Sequence, residues 1–286
     1  MENLHTQPLV SIIMSTYNAE RFIKDTIENI LQQSYPNIEI FIIDDCSTDT
    51  TRSILEKRYH DNPIIQIFHN TENLWPYPSL NILLDQAQWT YIAVQDHDDL
   101  WHPEKIEKQI EFLEKNHYYI RCGKKTLMWY ESDQKGFTYF LWKSNCYTIH
   151  PSLMFRNSRN YRYPTDSVYM NDALFQKIVL CRGWKKIIAN IDETLTLHVI
   201  KDGAKNLSYK RFRYTRSTFK TIFTLHPVWY GICIIWWETM RKIVYPLLQC
   251  IWQGKWIDVI ERLPFILLGN GVKKYSREEV HHYYSP

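Results

Sequence analysis

The first hundred residues alternate apolar runs with helical patterns, and this alternation constrains the fold more than any other feature. Between the apolar runs lie amphipathic segments, the clearest of them at residues 23–31. Strands that alternate with helices in this way form a parallel, doubly wound sheet, so the sequence predicts an α/β fold. The runs that predict buried strands are residues 9–14, 38–43, 64–68 and 91–95.

Polar residues precede three of the predicted helices and suggest how each helix begins. Asn18 and Ser47 stand before the first two helical segments, where each side chain is suited to an N-cap. Asp99 stands before a helix predicted to start at Pro103, because proline is favoured at the first helical position. Asp99 is therefore expected either to support its loop or to cap that helix.

Polar and acidic residues follow three of the predicted strands. The carboxyl ends of parallel strands lie at one edge of the sheet, where α/β proteins bind ligands. A single acidic turn is unremarkable because Asp is a common turn residue, but three such ends predict a shared site. The residues are Ser15, Thr16 and Tyr17 after the first strand, Asp44 and Asp45 after the second, and Asp96, Asp98 and Asp99 after the fourth.

The sequence has no glycine-rich loop that would hold phosphates at this edge. Neither G-x-G-x-x-G nor G-x-x-x-x-G-K-[ST] is present. Carboxylates repel a diphosphate, and a divalent cation between the two relieves the repulsion. Any nucleoside diphosphate that binds at this edge would therefore need a divalent cation, and Mn²⁺ or Mg²⁺ prefers such hard oxygen ligands.

Two segments carry a family resemblance. Residues 8–51, "PLVSIIMSTYN" through "IIDDCSTDTT", show a strand, [ST]-Y-N, a helix, a second strand and D-D-x-S-x-D, and residues 96–106 show D-x-D-D-x-[WY]-x-P-x-K-[IL]. Together they resemble glycosyltransferase family 2, the inverting nucleotide-sugar transferases of GT-A fold. The resemblance is strong over residues 8–115 and weaker to about residue 208. It implies a hexosyltransferase with a Rossmann-like, mostly parallel central sheet flanked by helices.

The resemblance assigns roles to the residues of the acidic edge. The Ser15–Tyr17 turn and Asp45 would hold the base and ribose of the donor, and Asp96 would reach the sugar or ribose. Asp98 would bind the metal, because a cation stabilises the charge that develops on the leaving nucleoside diphosphate. Asp44 is either a further contact or a turn acceptor.

Three later residues complete the implied site. Asp172 in "YMNDALF" matches the Asp of an [ED]-D-x-x-[LFW] segment, which would take the proton of the acceptor hydroxyl, although Asn171 replaces the commoner acid. Asp172 also fits the N-cap of a helix. His150 either faces the acceptor or is structural, and His198 lies where many members place a histidine close to the diphosphate.

The chain departs from the family where glycine is usual. The common Asn-x-Gly after the third strand reads Asn73, Leu74 and Trp75, and the later Ala-x-Gly-x-Tyr reads Ala87-Gln88-Trp89-Thr90-Tyr91. A bulky tryptophan would reshape the donor pocket or the packing of the sheet. The donor sugar and its nucleotide therefore stay open.

By the same resemblance, residues 1–115 form the donor half and residues 116–208 the acceptor half of one domain. Residues 209–286 are rich in aromatic and basic side chains and predict helices that lie on a membrane surface, where a lipid-linked acceptor would be found. A helical dimer interface, giving a homodimer, or a subdomain that covers the core are the alternatives. No run reaches the length of a membrane span.

Composition limits the remaining choices. A net charge of +3 gives no argument for a nucleic-acid partner. Six cysteines without C-x-x-C spacing fit free thiols in a reducing compartment. The predicted location is the cytoplasm, at the inner face of the cell membrane.

Two other functions share the predicted fold. A metal-dependent nucleotidyltransferase would use a similar acidic edge but usually a basic, Gly-rich loop, and a catalytically silent membrane-associated partner would not need the aspartates.

Overall fold

The computed structural model describes most of the first 116 residues and selected later segments. For residues 121–130, 135–139 and 272–275 it describes the backbone. The described residues are 7–87, 90–116, 121–130, 135–139, 150–157, 161–165, 172, 175, 188–200 and 272–275.

These segments contain four α-helices, ten strands and a short 3₁₀ turn at His150–Ser152. The helices are α1 (Ile23–Leu31), α2 (Thr51–Tyr59), α3 (Pro76–Gln86) and α4 (Lys105–Lys115). The strands are β1 (Val10–Thr16), β2 (Ile38–Asp44), β3 (Ile65–His69), β4 (Tyr91–Asp96), β5 (Leu100–Trp101), β6 (Arg121–Tyr130), β7 (Lys135–Tyr139), β8 (Met154–Arg156), β9 (Ile188–Ile200) and β10 (Val272–Tyr275).

The centre of the sheet is parallel. Strand β1 lies between β2 and β4, and β3 pairs with β2, all in parallel register. Strand β8 adds antiparallel to β4 and leads on to β6, β7 and β10. Strand β9 runs parallel to β6 and pairs antiparallel with β5. The predicted α/β fold with a mostly parallel central sheet is confirmed.

Strand β1 is mostly apolar at successive positions because both faces of the sheet are covered. Val10, Ile12 and Met14 belong to one buried cluster together with the apolar side chains of α1, α2 and α4. Ile13 points to the other face and belongs to a second cluster with Leu83 of α3. A strand buried on both faces needs apolar residues at successive positions, which is the pattern that predicted it.

The predicted caps of the first two helices are wrong. Helix α1 has Phe22 at its N-cap and α2 has Thr50, neither with a side-chain capping hydrogen bond. Asn18 and Ser47 instead join the two loops: Asn18 N donates to Ser47 Oγ (3.0 Å), and Thr48 N donates to Asn18 Oδ1 (2.8 Å). Each side chain accepts a hydrogen bond from a backbone N–H of the other loop, so the two strand ends are held side by side.

The loop after β4 is built around a buried tryptophan. Trp101 is fully buried. Helix α4 begins at Lys105 with Glu104 at its N-cap and no side-chain capping bond, so the capping role considered for Asp99 is wrong. Asp99 is fully buried, as expected of a residue that supports the loop.

The C-terminal region contributes one described element. Residues 272–275 form strand β10 rather than the predicted helix. The rest of residues 209–286, including the basic segment, lies outside the described residues. Among the residues that are described, no helix has the length and apolar character needed to cross a membrane.

Candidate active site

Three strands end side by side and bring the predicted site residues together. In the parallel register Ser15 of β1 pairs with Asp96 of β4, and Thr16 pairs with Asp44 of β2. Asp45 follows directly, and its backbone N–H donates to the carbonyl oxygen of Thr16 (2.8 Å). The convergence predicted from the three strand ends is therefore present in the fold.

The floor of this edge holds two buried oxygens that lack hydrogen bonds. Thr16 Oγ1 and Asp44 Oδ1 have no partner among the described residues. The other oxygen of Asp44 accepts a bond from Ser47 N (3.3 Å) and lies 3.8 Å from Nδ1 of His69. A buried polar atom without a partner costs stability, and such atoms in a native site call for an explanation such as a ligand.

Asp45 is the centre of a hydrogen-bond network that ties β2 to the segment before α3. Its Oδ1 accepts bonds from Asn70 Nδ2 (2.7 Å), Leu74 N (2.9 Å) and Ser79 Oγ (3.0 Å). Asn70 Nδ2 also donates to Ser79 Oγ (2.8 Å). Sequence reasoning gave Asp45 a ligand role and did not identify its structural partners, which come from 25 to 34 residues further along the chain.

Two large exposed side chains flank Asp45. Tyr17 is 41% exposed and Trp75 is 47% exposed. Each follows a residue whose backbone hydrogen bonds with Asp45: Thr16 O, before Tyr17, accepts from Asp45 N, and Leu74 N, before Trp75, donates to Asp45 Oδ1. Trp75 has φ 73° and ψ 161°, a region of backbone conformation that is almost restricted to glycine. The departure from glycine noted in the sequence therefore leaves a strained and accessible tryptophan beside the site.

The three aspartates after β4 have different environments. Asp99 is fully buried, whereas Asp96 and Asp98 are partly exposed. The loop is fixed from inside, because Gln95 Nε2 donates to Asp99 O (2.6 Å) and Asp99 N donates to Asp96 O (3.3 Å). Asp96 and Asp98 are thus the members of the cluster that solvent or a ligand can reach.

The carboxylates fit a cation that is shared with a substrate. Among the described residues, no group of three or more His, Cys, Asp or Glu side chains is arranged to hold a metal by itself. Mg²⁺ and similar ions are commonly bound by one or two carboxylates together with substrate phosphates and water. The partly exposed Asp98 and Asp96 supply hard oxygen ligands of that kind.

An aromatic cluster lies against Asp96. His150 Nδ1 lies 3.1 Å from Asp96 Oδ1, and His150 Nε2 lies 2.9 Å from the Tyr163 hydroxyl. The Tyr77 ring packs 6.1 Å from His150 and 5.6 Å from Tyr163, measured between ring centres. Sequence reasoning missed both tyrosines, since neither belongs to a motif and their contacts depend on the fold.

Asp172 lies at the same cluster. Burial raises the pKa of the Tyr77 hydroxyl well above its usual range, and the carboxylates of Asp172 and Asp96 raise it further. The backbone of Asp172 also hydrogen bonds with Tyr77, and the pKa of Tyr163 is raised by the same three causes. The residue predicted as the base and one predicted for the donor therefore face one group of side chains.

Burial and charge act in opposite directions on His150. Burial alone would lower the pKa of its imidazole, but Asp96, with Asp172 and Asp99, reverses the effect and raises the pKa above its usual value. His198 lies in β9 with its backbone paired to Met128, and its side chain lies outside the description. Its predicted approach to a diphosphate stays a prediction.

Residues 11–175 match the family model described as Glycosyl transferase family 2. The chain belongs to glycosyltransferase family 2. The match covers β1 to the Asp172 segment and so includes every predicted site residue except His198. The resemblance drawn from the motifs is confirmed, and the chain is a transferase enzyme of this family.

Several relatives share the match. EpsE of Bacillus subtilis, assigned as a glycosyltransferase, is 42% identical over 256 residues, or 88% of this chain and 89% of EpsE. TuaG of Bacillus subtilis, assigned to teichuronic acid biosynthesis, is 43% identical over 37% of this chain and 42% of its own length. WfaP of Escherichia coli, a UDP-Glc:alpha-D-GlcNAc-diphosphoundecaprenol beta-1,3-glucosyltransferase, is 44% identical over 37% of this chain and 41% of WfaP.

Solved structures show the same fold. The S. aureus TarS 1–349 complex with UDP-GlcNAc has a TM-score of 0.61 at 20% identity and covers 76% of this chain and 65% of its own. The mannosyltransferase PcManGT of Pyrobaculum calidifontis, in complex with GDP-Man and Mn²⁺, has a TM-score of 0.55 at 17% identity. The match covers 77% of this chain and 61% of PcManGT. At these identities the likeness is one of fold.

Proposed function

We propose that the chain is a metal-dependent inverting glycosyltransferase that uses a UDP- or TDP-hexose. The acceptor is a hydroxyl of a glycan or of a lipid-linked precursor in the synthesis of a cell-surface polysaccharide. The observation that carries the proposal is that β1, β2 and β4 end side by side and that Asp96, at the end of β4, shares one aromatic cluster with Asp172. The names of TuaG and WfaP support a polysaccharide role, and the UDP-GlcNAc complex of TarS supports a nucleotide-sugar donor.

The nucleotide would lie across the ends of β1 and β2. The exposed Tyr17 ring offers a stacking surface for the base, and Ser15 and Thr16 offer hydroxyls. The unpartnered Thr16 Oγ1 and Asp44 Oδ1 are the atoms on which a polar ligand group would relieve an existing cost. Asp45 would contribute mainly by holding the segment around Leu74 against the nucleotide.

Asp98 would hold the cation, with Asp96 turned towards the sugar or ribose. When bound, Mn²⁺ or Mg²⁺ neutralises the negative charge that develops on the leaving diphosphate. Asp99 lies buried beneath the loop and keeps both carboxylates at the accessible edge.

Asp172 would act as the general base. Its carboxylate takes the proton of the acceptor hydroxyl while that oxygen bonds to the anomeric carbon and the bond from this carbon to the diphosphate oxygen breaks. Attack opposite the leaving group inverts the anomeric configuration. The partly buried position of Asp172 beside Tyr77 favours a fixed orientation.

A location at the inner face of the membrane suits a lipid-linked acceptor. Residues 205–220 are basic, and the segment beyond is rich in aromatic side chains, as in helices that lie on an anionic surface. A homodimer formed by the same region is the alternative. No nucleic acid partner is proposed.

A thermal-shift panel tests donor and metal together. UDP-, TDP- and GDP-sugars, each with and without Mn²⁺, should show one nucleotide class that raises the melting temperature in the presence of metal. The variant Asp98→Ala should lose that shift. Asp61→Ala, an exposed aspartate in the turn before β3 at the opposite edge of the sheet, should keep it. If no nucleotide shifts the wild type under any metal condition, the donor assignment is overturned.

Hydrolysis of the best donor tests the base. Asp172→Asn should lose most of the turnover and keep the thermal shift with donor and metal. If the wild type binds a donor but neither hydrolyses nor transfers it, the silent-partner alternative is favoured. If instead a nucleoside triphosphate and a sugar phosphate give pyrophosphate, the chain is a nucleotidyltransferase.

A further inference from the structure

A continuous line of contacts connects Asp96 to the segment that carries Asp172. Asp96 Oδ1 lies 3.1 Å from His150 Nδ1, and His150 Nε2 lies 2.9 Å from the Tyr163 hydroxyl. The Tyr163 ring then stacks on Phe175 with ring centres 4.0 Å apart, and Phe175 comes three residues after Asp172. Residues predicted for the donor and for proton removal are therefore linked through His150, Tyr163 and Phe175.

The chemistry of the partners fixes the direction of the hydrogen bonds when His150 is neutral. An ionised carboxylate only accepts, so Nδ1 of His150 must carry the proton that is donated to Asp96. Nε2 is then an acceptor and receives the Tyr163 O–H. Burial, with Asp172 and Asp96, keeps the pKa of Tyr163 well above its usual range, so its hydroxyl stays a donor.

The exposure of these groups falls along the line. The Asp96 side chain is 35% exposed and the His150 side chain 11%. Tyr163 is 2% exposed and Phe175 is fully buried. The line thus begins at the accessible edge of the site and ends in the core, which is the arrangement expected of a support that fixes an accessible carboxylate.

Hydrogen bonds to the 3₁₀ turn hold the backbone around His150 in place. Leu153 N donates to His150 O (3.0 Å), and Trp101 Nε1 donates to Pro151 O (2.9 Å). Gln109 Nε2 of α4 donates to Ser152 O (3.0 Å). The imidazole is consequently held by the backbone on one side and by Asp96 and Tyr163 on the other.

We propose that His150 is a positioning residue that orients the Asp96 carboxylate for the donor and couples it, through Tyr163, to the Asp172 segment. The inference rests on the proposed function, because it assigns Asp96 to the donor and Asp172 to the acceptor proton. It predicts two separable effects, one on donor binding through Asp96 and one on turnover through Tyr163.

Steady-state kinetics with UDP-glucose, UDP-N-acetylglucosamine and TDP-glucose separates the two effects, using the donor that the wild type hydrolyses fastest. His150→Ala breaks both bonds and should raise the donor KM about tenfold to a hundredfold, the range for losing a hydrogen bond to a charged group, and should also lower kcat. Tyr163→Phe keeps the bond to Asp96 and should lower kcat while the donor KM changes less than about twofold.

Matched variants distinguish positioning from general damage. His150→Asn places an amide donor near the position of Nδ1, so the donor KM should return towards the wild-type value while kcat stays low. Tyr161→Phe removes a hydroxyl from a neighbouring buried tyrosine that packs on Phe155 and should leave both constants unchanged. If Tyr163→Phe and His150→Asn fold and both keep wild-type kcat and donor KM, the inference is overturned.

NMR of ¹⁵N-histidine-labelled protein gives a readout that needs no donor. At alkaline pH the His150 signal, assigned by its absence in His150→Asn, should show the Nδ1–H tautomer, and Asp96→Ala should abolish that preference. A wild-type Nε2–H tautomer would contradict the inference. A wild type that hydrolyses no donor but shows the Nδ1–H tautomer would instead overturn the proposed function and leave the Asp96–His150–Tyr163 arrangement established.

Discussion

Trp101 donates an indole N–H bond of 2.9 Å to the carbonyl oxygen of Pro151, across 50 residues of sequence. The tryptophan backbone is held in turn by Asn29 of α1, whose Oδ1 accepts from Trp101 N (2.6 Å) and whose Nδ2 donates to Trp101 O (2.9 Å). Lys105 Nζ lies 3.6 Å from the centre of its ring. One buried side chain therefore fixes the acidic loop to the turn that presents His150.

Trp101→Phe is expected to destabilise the protein by about 2 kcal/mol, because the buried Pro151 carbonyl loses its donor. Urea unfolding measures the change. Trp75→Phe, the same substitution at an exposed tryptophan, is the control and should cost little. Equal losses in the two variants would show that the Trp101 bond contributes nothing measurable.

Substitutions of Asp45 should separate its structural contribution from a ligand role. Asp45→Ala removes the acceptor of three hydrogen bonds and is expected to cost about 3 kcal/mol or more. Asp45→Asn keeps an oxygen at the same place and should cost less. If Asp45→Asn unfolds at the wild-type urea concentration but loses the nucleotide-induced thermal shift, Asp45 contacts the nucleotide directly. If the thermal shift is unchanged, Asp45 is a purely structural residue.

Thr16→Val replaces a buried hydroxyl that has no partner among the described residues. Because the hydroxyl is already desolvated without compensation, its removal should be neutral or slightly stabilising in the free protein. Donor affinity should fall if a nucleotide group satisfies Thr16 Oγ1. Thermal shifts with and without donor measure both effects, and a clear loss of stability in the free protein would contradict the absence of a partner.

Glu56 gives a pH dependence with a definite sign. A hydrogen bond from His69 (2.5 Å) lowers the pKa of its carboxyl below the ordinary 4.5. A lowered pKa stabilises the fold above the unfolded-state value, and that stability is lost as the pH falls through the folded-state value. Glu56→Gln should therefore be less stable than wild type above about pH 5, with a gap that closes towards about pH 3.

The gap should stay below about 1 kcal/mol, because Glu56 is partly exposed and surface pairs are screened by solvent. Urea unfolding from pH 3 to pH 6 measures it. Glu72→Gln, at an exposed glutamate of the loop before α3, is the control variant and is measured over the same pH range. A gap that widens on acidification would reverse the assigned sign.

The strand ends could be predicted because the information is local. A run of β-branched residues marks each strand, and parallel register then brings Ser15, Thr16, Asp44 and Asp96 to one edge without further knowledge. The burial of Asp99 agrees with loop support, which was one of the two roles expected of it.

Contacts between distant segments could not be read from the sequence. His150 meets Tyr163 because Tyr163 lies against α3, where its backbone N–H donates to Asn81 Oδ1 (2.7 Å), and Tyr163 belongs to no motif. Asn18 and Ser47 have side-chain oxygens suited to capping a helix, but each oxygen instead accepts a hydrogen bond from a backbone N–H of the neighbouring loop. Local propensity identifies the donor or acceptor, and the fold decides which partner it meets.

Trp75→Gly should stabilise the protein, because glycine adopts φ 73° and ψ 161° without steric cost. Relief of about 1 to 3 kcal/mol of backbone strain is opposed by about 1 kcal/mol from the greater freedom of glycine in the unfolded chain. The exposed ring contributes little burial, so the net gain should be about 1 kcal/mol, seen as a higher melting temperature.

Trp75→Ala keeps a Cβ atom and therefore the backbone strain, so it should give no gain. Equal melting temperatures for the glycine and alanine variants would show that the backbone at residue 75 is not strained. If Trp75 contacts the donor, the gain in Trp75→Gly will come with a higher donor KM than in the wild type.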